Sequence, residues 1–188
     1  SDKCKIKVVD CKKKGGKFVH SCTLVSGKVS VGDSLSLEID TARRRAISRN
    51  HSTTHLLQAA LRQVLGNHVE QAGSYVDDSR CRFDFSHFAA MTEEEIRKVE
   101  TLVNLHILEA NAIESVETDI DTARAAGAMA LFGEKYGSEV RMVKMGNFST
   151  ELCGGTHLDN TAKAGMFKIV CEIGFRAEFV RAHLLGKR

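Results

Sequence analysis

Two histidines stand four residues apart at the start of a stretch with helical periodicity. His51 and His55 lead into apolar residues at helical spacing within residues 56–65, and Gly66 ends the pattern. Asn50 is a residue type that favours the N-cap position, so the sequence predicts a helix that begins there. On a helix, residues i and i+4 lie on one face, so both imidazoles can reach a single point. The stretch therefore predicts half of a metal site.

A second pair of potential metal ligands occurs far downstream. Cys153 and His157 have the same spacing, but Gly154 and Gly155 between them predict a loop that bends a thiolate and an imidazole toward one ion. Each pair alone is a weak signal, because a histidine pair on a helix is usually incidental and a single cysteine is usually a small buried hydrophobe. Together, three histidines and one cysteine form a donor set suited to Zn²⁺.

The size of this ligand set bears on what the ion would do. Four protein ligands close a tetrahedral shell, which is the structural pattern, whereas catalytic zinc keeps an open position. In an enzyme, zinc can polarise a carbonyl, lower the pKa of a water or hold a substrate in place. His157 is the weakest member of the predicted set, because it shares a tight loop with Cys153. Ser52 occupies the position of the general base in His-Glu-x-x-His proteases, which argues against proteolysis.

Composition narrows the class of protein. A chain of 188 residues, 43% of them hydrophobic, has the size of one large domain or two small ones. No apolar run is long enough to cross a bilayer and the first residues lack a signal peptide, so we expect a cytoplasmic protein without a membrane partner. Six scattered cysteines without a Cys-x-x-Cys pair indicate a reducing compartment. The net charge of +3 is too small to predict nucleic-acid binding, and clusters such as Arg43-Arg44-Arg45 could contact phosphates or be solvated.

Strand and helix patterns mix along the chain. Residues 1–40 predict several short strands, separated at Gly15-Gly16 and Gly32-Asp33, and a small barrel-like subdomain. Farther on, strands are predicted over residues 69–76, 80–85, 113–119, 139–145 and 166–172, and helices from Thr92 and over residues 122–131. We therefore predict an α/β chain with a β-rich subdomain over residues 1–45 and a second domain over residues 46–188.

Five motifs in a fixed order carry a resemblance to a known family. They are Asn50-His51-Ser52-Thr53-Thr54-His55-Leu56-Leu57, Gln71-Ala72-Gly73-Ser74, Arg82-Phe83-Asp84-Phe85-Ser86-His87-Phe88, Leu131-Phe132-Gly133-Glu134-Lys135-Tyr136-Gly137 and Cys153-Gly154-Gly155-Thr156-His157. From about Lys17 to about Glu172, the chain resembles the editing domain of alanyl-tRNA synthetase, which is shared with the free-standing AlaX trans-editing proteins. A threonyl-tRNA synthetase-type editing domain fits the second and last motifs less well. After Glu172 the chain departs from the family pattern, since Glu178 and Phe179 stand where small residues are expected.

The resemblance implies a fold and an activity. The implied fold is a small N-terminal barrel-like subdomain packed on an α+β editing core whose sheet is mostly antiparallel. The implied activity is zinc-dependent hydrolysis of mischarged Ser-tRNA(Ala) and Gly-tRNA(Ala), without aminoacylation, because the regions for amino-acid activation are missing. The implied partners are the acceptor end of tRNA(Ala) and, if the chain is a fragment, the rest of the synthetase. The alternatives are a free-standing AlaX protein and a non-catalytic tRNA-binding module with structural zinc.

The resemblance also implies roles for individual residues. From the two ligand pairs we predict one Zn²⁺ held by His51, His55 and Cys153, with His157 as fourth ligand or close neighbour. Thr54, Gln71 and Ser74 fall where the family lines the pocket for the misacylated amino acid. Their hydroxyl and amide groups could meet the serine hydroxyl, although Thr54 could equally be a helix-surface residue and Gln71 a strand residue. For Arg82 and Asp84 a structural ion pair is favoured over contact with RNA.

Overall fold

The computed structural model describes residues 3–129, 137–174 and 179–185. The chain divides into two compact units, Ser1–Ile39 and Asp40–Arg188. The fourth sequence motif lies outside the described residues apart from Gly137, and so does Glu178. Among the helices described, none is long and apolar enough to span a membrane.

The first unit is built on one antiparallel hairpin. It pairs β1 (Cys4–Lys14) with β2 (Lys17–Gly27) through a turn at Gly15 and Gly16, whose φ values of 56° and 74° favour glycine. Residues 28–39 are described and form no strand, so the strands predicted there are wrong and the barrel-like arrangement is not confirmed. A strand needs a neighbouring strand to satisfy its backbone N–H and C=O groups, and within the described residues no strand pairs with residues 28–39.

Helix α1 (Thr41–Leu65) begins earlier than predicted. Its N-cap is Asp40, whose side chain accepts a hydrogen bond from the backbone N–H of Arg43 at 2.9 Å, so the predicted N-cap Asn50 is wrong. Asn50 is buried inside the helix and donates its Nδ2–H to the carbonyl of Asp77 at 2.8 Å. That tertiary contact uses the side chain that would otherwise cap the helix. The predicted end of the helix at Gly66 is confirmed. The predicted domain boundary between residues 45 and 46 falls inside this helix.

The second unit contains two sheets within the described residues. Their strands are β3 (Gln71–Val76), β4 (Arg80–Ser86), β5 (Ile113–Asp119), β6 (Glu139–Met145), β7 (Ser149–Leu152), β8 (Ile169–Gly174) and β9 (Phe179–Leu185). One sheet has the order β3-β4-β9-β8 and the other β5-β6-β7, and every strand pair is antiparallel. The predicted α/β class with mostly antiparallel pairing is therefore confirmed. Strand β9, which lies between β4 and β8, belongs to the segment that departs from the family pattern.

The described part of this unit also contains two further helices and a short 3₁₀ turn. Helix α2 (Glu93–Leu108) begins with the predicted capping box between Thr92 and Glu95. Helix α3 (Ile120–Ala125) is shorter than predicted and ends before Gly127, whose φ of 78° stops it. The 3₁₀ turn spans Thr161–Ala164.

The hydrophobic core of the second unit determines which face of α1 is buried. Its largest fully buried side chains include Leu56, Leu57, Leu61, Phe83, Phe85, Val99 and Val103, contributed by α1, β4 and α2. Burying a leucine or phenylalanine side chain stabilises the fold by about 1.5–3 kcal/mol. Because Leu56 and Leu57 follow His55 directly, this packing also fixes the rotation of the turn that carries the histidines.

Candidate metal centre

The structure brings the four predicted ligands together. One potential ligand atom from each of His51, His55, Cys153 and His157 lies within 4.8 Å of the others. The Cys153 Sγ is 3.5 Å from the Nε2 of His51 and 3.3 Å from the Nε2 of His157. In a tetrahedral zinc site with usual bond lengths, sulfur and nitrogen ligands lie about 3.6 Å apart. The four side chains are therefore close enough together to hold a metal ion, and the two sulfur–nitrogen distances are already near the tetrahedral value.

The loop after β7 delivers the cysteine to α1. The backbone N–H of Cys153 donates to the carbonyl of Arg141 on β6 at 2.9 Å, which continues the β6–β7 pairing by one residue. The Arg141 guanidinium then donates to the Gly155 carbonyl and, at 3.0 Å, to the hydroxyl of Ser115. A Cβ at Gly155 would lie 2.0 Å from the Cε1 of His51, so the loop approaches the helix too closely for any side chain there.

Every histidine of the cluster has a partner for its second ring nitrogen. These partners are the Thr156 carbonyl (3.1 Å from His51 Nδ1), the Ser52 hydroxyl (3.2 Å from His157 Nδ1) and the Glu151 carboxylate (2.8 Å from His55 Nδ1). The Glu151 contact is an ion pair by distance, although its direction departs from that of a linear hydrogen bond. Histidines that bind metals almost always engage the other ring nitrogen in this way, which fixes the tautomer and the ring orientation. The donor set and its surroundings fit a metal ion.

Glu151 and Ser52 are the members of this arrangement that sequence reasoning missed. Glu151 is only 6% exposed, and its Oε1 accepts a hydrogen bond from the Ser149 hydroxyl at 3.1 Å. Ser149, Glu151 and Cys153 occupy alternate positions, so they share one face of the strand, and this alternation is the signal that could have identified Glu151. The Ser52 hydroxyl accepts from the backbone N–H of Leu158 at 3.0 Å, which holds the loop against α1.

Cys153 and His55 are strongly coupled electrostatically. Burial alone would raise the pKa of the Cys153 thiol, but hydrogen bonds from His157, His51 and His55 lower it to about 3. Burial alone would lower the pKa of His55, but Glu151 and Cys153 raise it to about 10. The pKa of His157 is lowered, chiefly by burial. The site thus supplies a thiolate, and a bound cation would take the place of the proton on His55.

The three predicted pocket residues lie on α1 and β3. Thr54 is buried, and its hydroxyl donates to the carbonyl of His51 at 2.7 Å. On β3, the Gln71 Nε2–H donates to the Ser74 hydroxyl at 3.3 Å. A register shift between Gln71 and Gly73 lets these two side chains face each other. Their role toward a substrate stays a prediction.

Arg82 and Asp84 form the predicted structural ion pair on β4. The Arg82 Nε lies 3.2 Å from the Asp84 Oδ2, and the Arg82 and Asp84 side chains are 35% and 16% exposed. They are therefore engaged with each other within the sheet.

Comparison with known proteins relates the chain to a class of synthetases. Residues 140–183 match the family described as the threonyl and alanyl tRNA synthetase second additional domain. The chain is 56% identical over 171 residues to the alanine--tRNA ligase of Acetivibrio thermocellus, covering 90% of this chain and 19% of that protein. It is 54% identical over 166 residues to alanine--tRNA ligase 1 of Lachnoclostridium phytofermentans, covering 88% and 19%. The chain thus spans 19% of the length of the curated relatives it matches.

Proposed function

We propose that the chain is an editing domain of the alanine--tRNA ligase kind and that it hydrolyses mischarged Ser-tRNA(Ala) and Gly-tRNA(Ala); its similarity to a segment of the alanine--tRNA ligases supports this. The observation that supports this most strongly is the cluster of His51, His55, Cys153 and His157, completed by partners for all three imidazoles. Zinc is the proposed ion, because a thiolate with three imidazoles is a set that zinc binds. The acceptor end of tRNA(Ala) and the rest of a synthetase chain are the proposed partners.

The need for such a site follows from the limits of binding selectivity. A pocket that accepts alanine rejects glycine weakly, because one methyl group changes binding by only about 1–3 kcal/mol. Serine differs from alanine by one hydroxyl, which an apolar pocket also excludes poorly. A second site that hydrolyses the wrong ester corrects both errors.

In this proposal the metal ligands and their partners hold a rigid centre beside the ester. When bound, the ion would supply polarisation of the ester carbonyl or a fixed point for positioning it. Glu151 fixes the ring of His55, and the loop from Cys153 to His157 is fixed by Arg141 and Ser52. A centre held in this way loses little free energy to reorganisation when the ester binds.

Thr54 supplies the proposed selectivity for serine. Its hydroxyl proton is donated to the His51 carbonyl, so the Oγ1 is left to accept a hydrogen bond. A serine hydroxyl can donate to that oxygen, whereas alanine cannot. Glycine has no hydroxyl either, so its hydrolysis would depend on its smaller size.

A second candidate function is a non-catalytic tRNA-binding module with structural zinc. The observation that favours it is the number of ligands, because four protein donors close a tetrahedral shell. Catalysis at the ion would need His157 or another ligand to yield its position, or a shell that expands to five ligands.

Deacylation of Ser-, Gly- and Ala-tRNA(Ala) by the purified zinc-loaded chain separates the two. The proposed function predicts that the Ser and Gly esters decay faster than in buffer and faster than the Ala ester, with rates that rise with protein concentration. The structural-zinc alternative predicts that tRNA binds while all three esters decay at the rate in buffer.

A further inference from the structure

The first turns of α1 carry a cluster of three positive charges. Arg43, Arg44 and Arg45 follow the N-cap, and the first turn contains no acidic residue. Arg43 lies 3.7 Å from the Asp78 carboxylate. Arg44 and Arg45 are exposed, and across the described residues their guanidinium groups make no hydrogen bond or ion pair.

Arg44 and Arg45 differ in the face of the helix that they occupy. Ser48, His51 and His55 follow Arg44 by four, seven and eleven positions, so all four lie within a sector of about 60°. Arg45 is turned away from Arg44 by about 100°. Arg44 alone of the two therefore shares the face of the candidate metal ligands.

The ligand-bearing loop covers this same face. The Thr156 hydroxyl lies 3.0 Å from that of Ser48, and the Thr156 carbonyl lies 3.1 Å from the Nδ1 of His51. Arg44 lies one turn beyond Ser48 toward the helix N-terminus, about 10 Å along the axis from His51. Side chains on a helix lean toward its N-terminus, so the Arg44 guanidinium is expected to extend away from the metal centre.

We propose that Arg44 binds a backbone phosphate of the RNA strand whose acylated 3′ end lies at the metal centre. This rests on the proposed function, which brings an ester to His51 and His55 and leaves the strand behind it to run along the protein surface. A guanidinium presents a planar fork of donors that matches a phosphate, and the contact is strengthened by charge. Arg44 is then a positioning residue that aligns the strand with the ester site.

The test compares Arg44→Gln with Arg45→Gln, because both remove one exposed charge from the same helical turn. Affinity for uncharged tRNA(Ala) is measured over a salt series, and KM and kcat are measured with Ser-tRNA(Ala). We expect Arg44→Gln to weaken tRNA affinity and raise KM about three- to tenfold, and to leave kcat within about twofold. It should reduce the slope of log affinity against log salt by about 0.7, the value for one phosphate of a single strand. Arg45→Gln should cause less than half of these changes, and Arg44→Lys should restore most of the salt slope.

Equal losses in Arg44→Gln and Arg45→Gln would overturn the contact, because they would indicate only a general charge effect. Loss of zinc in Arg44→Gln would overturn it too, since Arg44 would then serve the metal site. Tight, Arg44-dependent binding of tRNA without hydrolysis would support the phosphate contact and reject the deacylase. A chain that neither binds tRNA nor hydrolyses the ester would reject both.

Discussion

Replacing Gly155 with alanine should displace His51 from the metal centre, whereas the same change at Gly154 should leave the centre intact. A Cβ at Gly155 would lie 2.0 Å from the Cε1 and 2.5 Å from the Nδ1 of His51, while a Cβ at Gly154 would meet no atom within 4 Å. Neither glycine has a positive φ, so alanine brings no backbone strain at either position. A difference in zinc affinity between the Gly155→Ala and Gly154→Ala variants therefore reports only the close approach of the loop to the helix.

The expected loss of zinc affinity follows from how far the His51 ring is displaced. Carbon atoms in contact lie about 3.5–4.0 Å apart, so the Gly155→Ala methyl group and the His51 ring must separate by roughly 1.5 Å or more. Metal–ligand distances hold within about 0.2 Å, so the His51 Nε2 would no longer reach the ion. Loss of an outer partner of a ligand already weakens metal affinity about 10- to 100-fold. Loss of the ligand itself should therefore weaken zinc affinity at least about 100-fold.

Competition with a chromophoric chelator gives the zinc affinity of each variant. Far-UV circular dichroism checks that both variants are folded, and the thiolate absorption of the cobalt-substituted protein checks that Cys153 still binds. If Gly155→Ala binds zinc as tightly as Gly154→Ala, His51 is not a ligand or the loop is free to move, and the geometry of the centre described above is wrong.

Three further predictions, made with four substitutions, test other parts of the site and the fold. Glu151→Gln removes the charge beside His55 and should weaken zinc affinity about 10- to 100-fold; an unchanged affinity in the same competition assay would show that the ion pair does not orient the ligand. Thr54→Val and Gln71→Leu should lower the ratio of Ser-tRNA(Ala) to Ala-tRNA(Ala) deacylation about ten- to a hundredfold at normal zinc content; an unchanged ratio in both would place the selectivity elsewhere. Asp77 accepts hydrogen bonds from Ser79 and Arg80 that lower its pKa from 3.8 to about 2. Because the folded-state pKa is depressed, its contribution to the free energy of unfolding is present above pH 3.8 and is lost as the pH falls toward 2. The difference in urea midpoint between wild type and Asp77→Asn should shrink across that window, and a constant difference would contradict the assignment.

Local patterns were sufficient to predict the shape of each pair of potential ligands. The spacing of His51 and His55 fixes their common face once a helix forms, and the end at Gly66 follows from the chemistry of glycine. Gly154 and Gly155 correctly predicted a bend rather than a second helix. These features are determined by residues close together in the sequence, so they can be predicted from the sequence alone.

Features that depend on distant partners could not be predicted in the same way. Asn50 is a favourable N-cap, but its amide contacts the Asp77 carbonyl, and the helix starts earlier. Strand β8 begins at Ile169 rather than residue 166, because the Phe167 N–H donates to Asn104 Oδ1 at 2.9 Å instead of to a strand. Glu151 is an ordinary charged residue in the sequence and acquires its role only beside His55. In each case a contact made in the folded chain overrides the local preference.

The dependence of Ser-tRNA(Ala) hydrolysis on zinc tests the central proposal most directly. The decay of the ester is followed with the chain as purified, after removal of metal by a chelator, and after addition of one equivalent of Zn²⁺, with circular dichroism at each stage to confirm the fold. The proposal predicts that hydrolysis falls to the rate in buffer when zinc is removed and returns with one equivalent per chain. Undiminished hydrolysis by the folded, zinc-depleted chain, or no hydrolysis by the zinc-loaded chain, would contradict it.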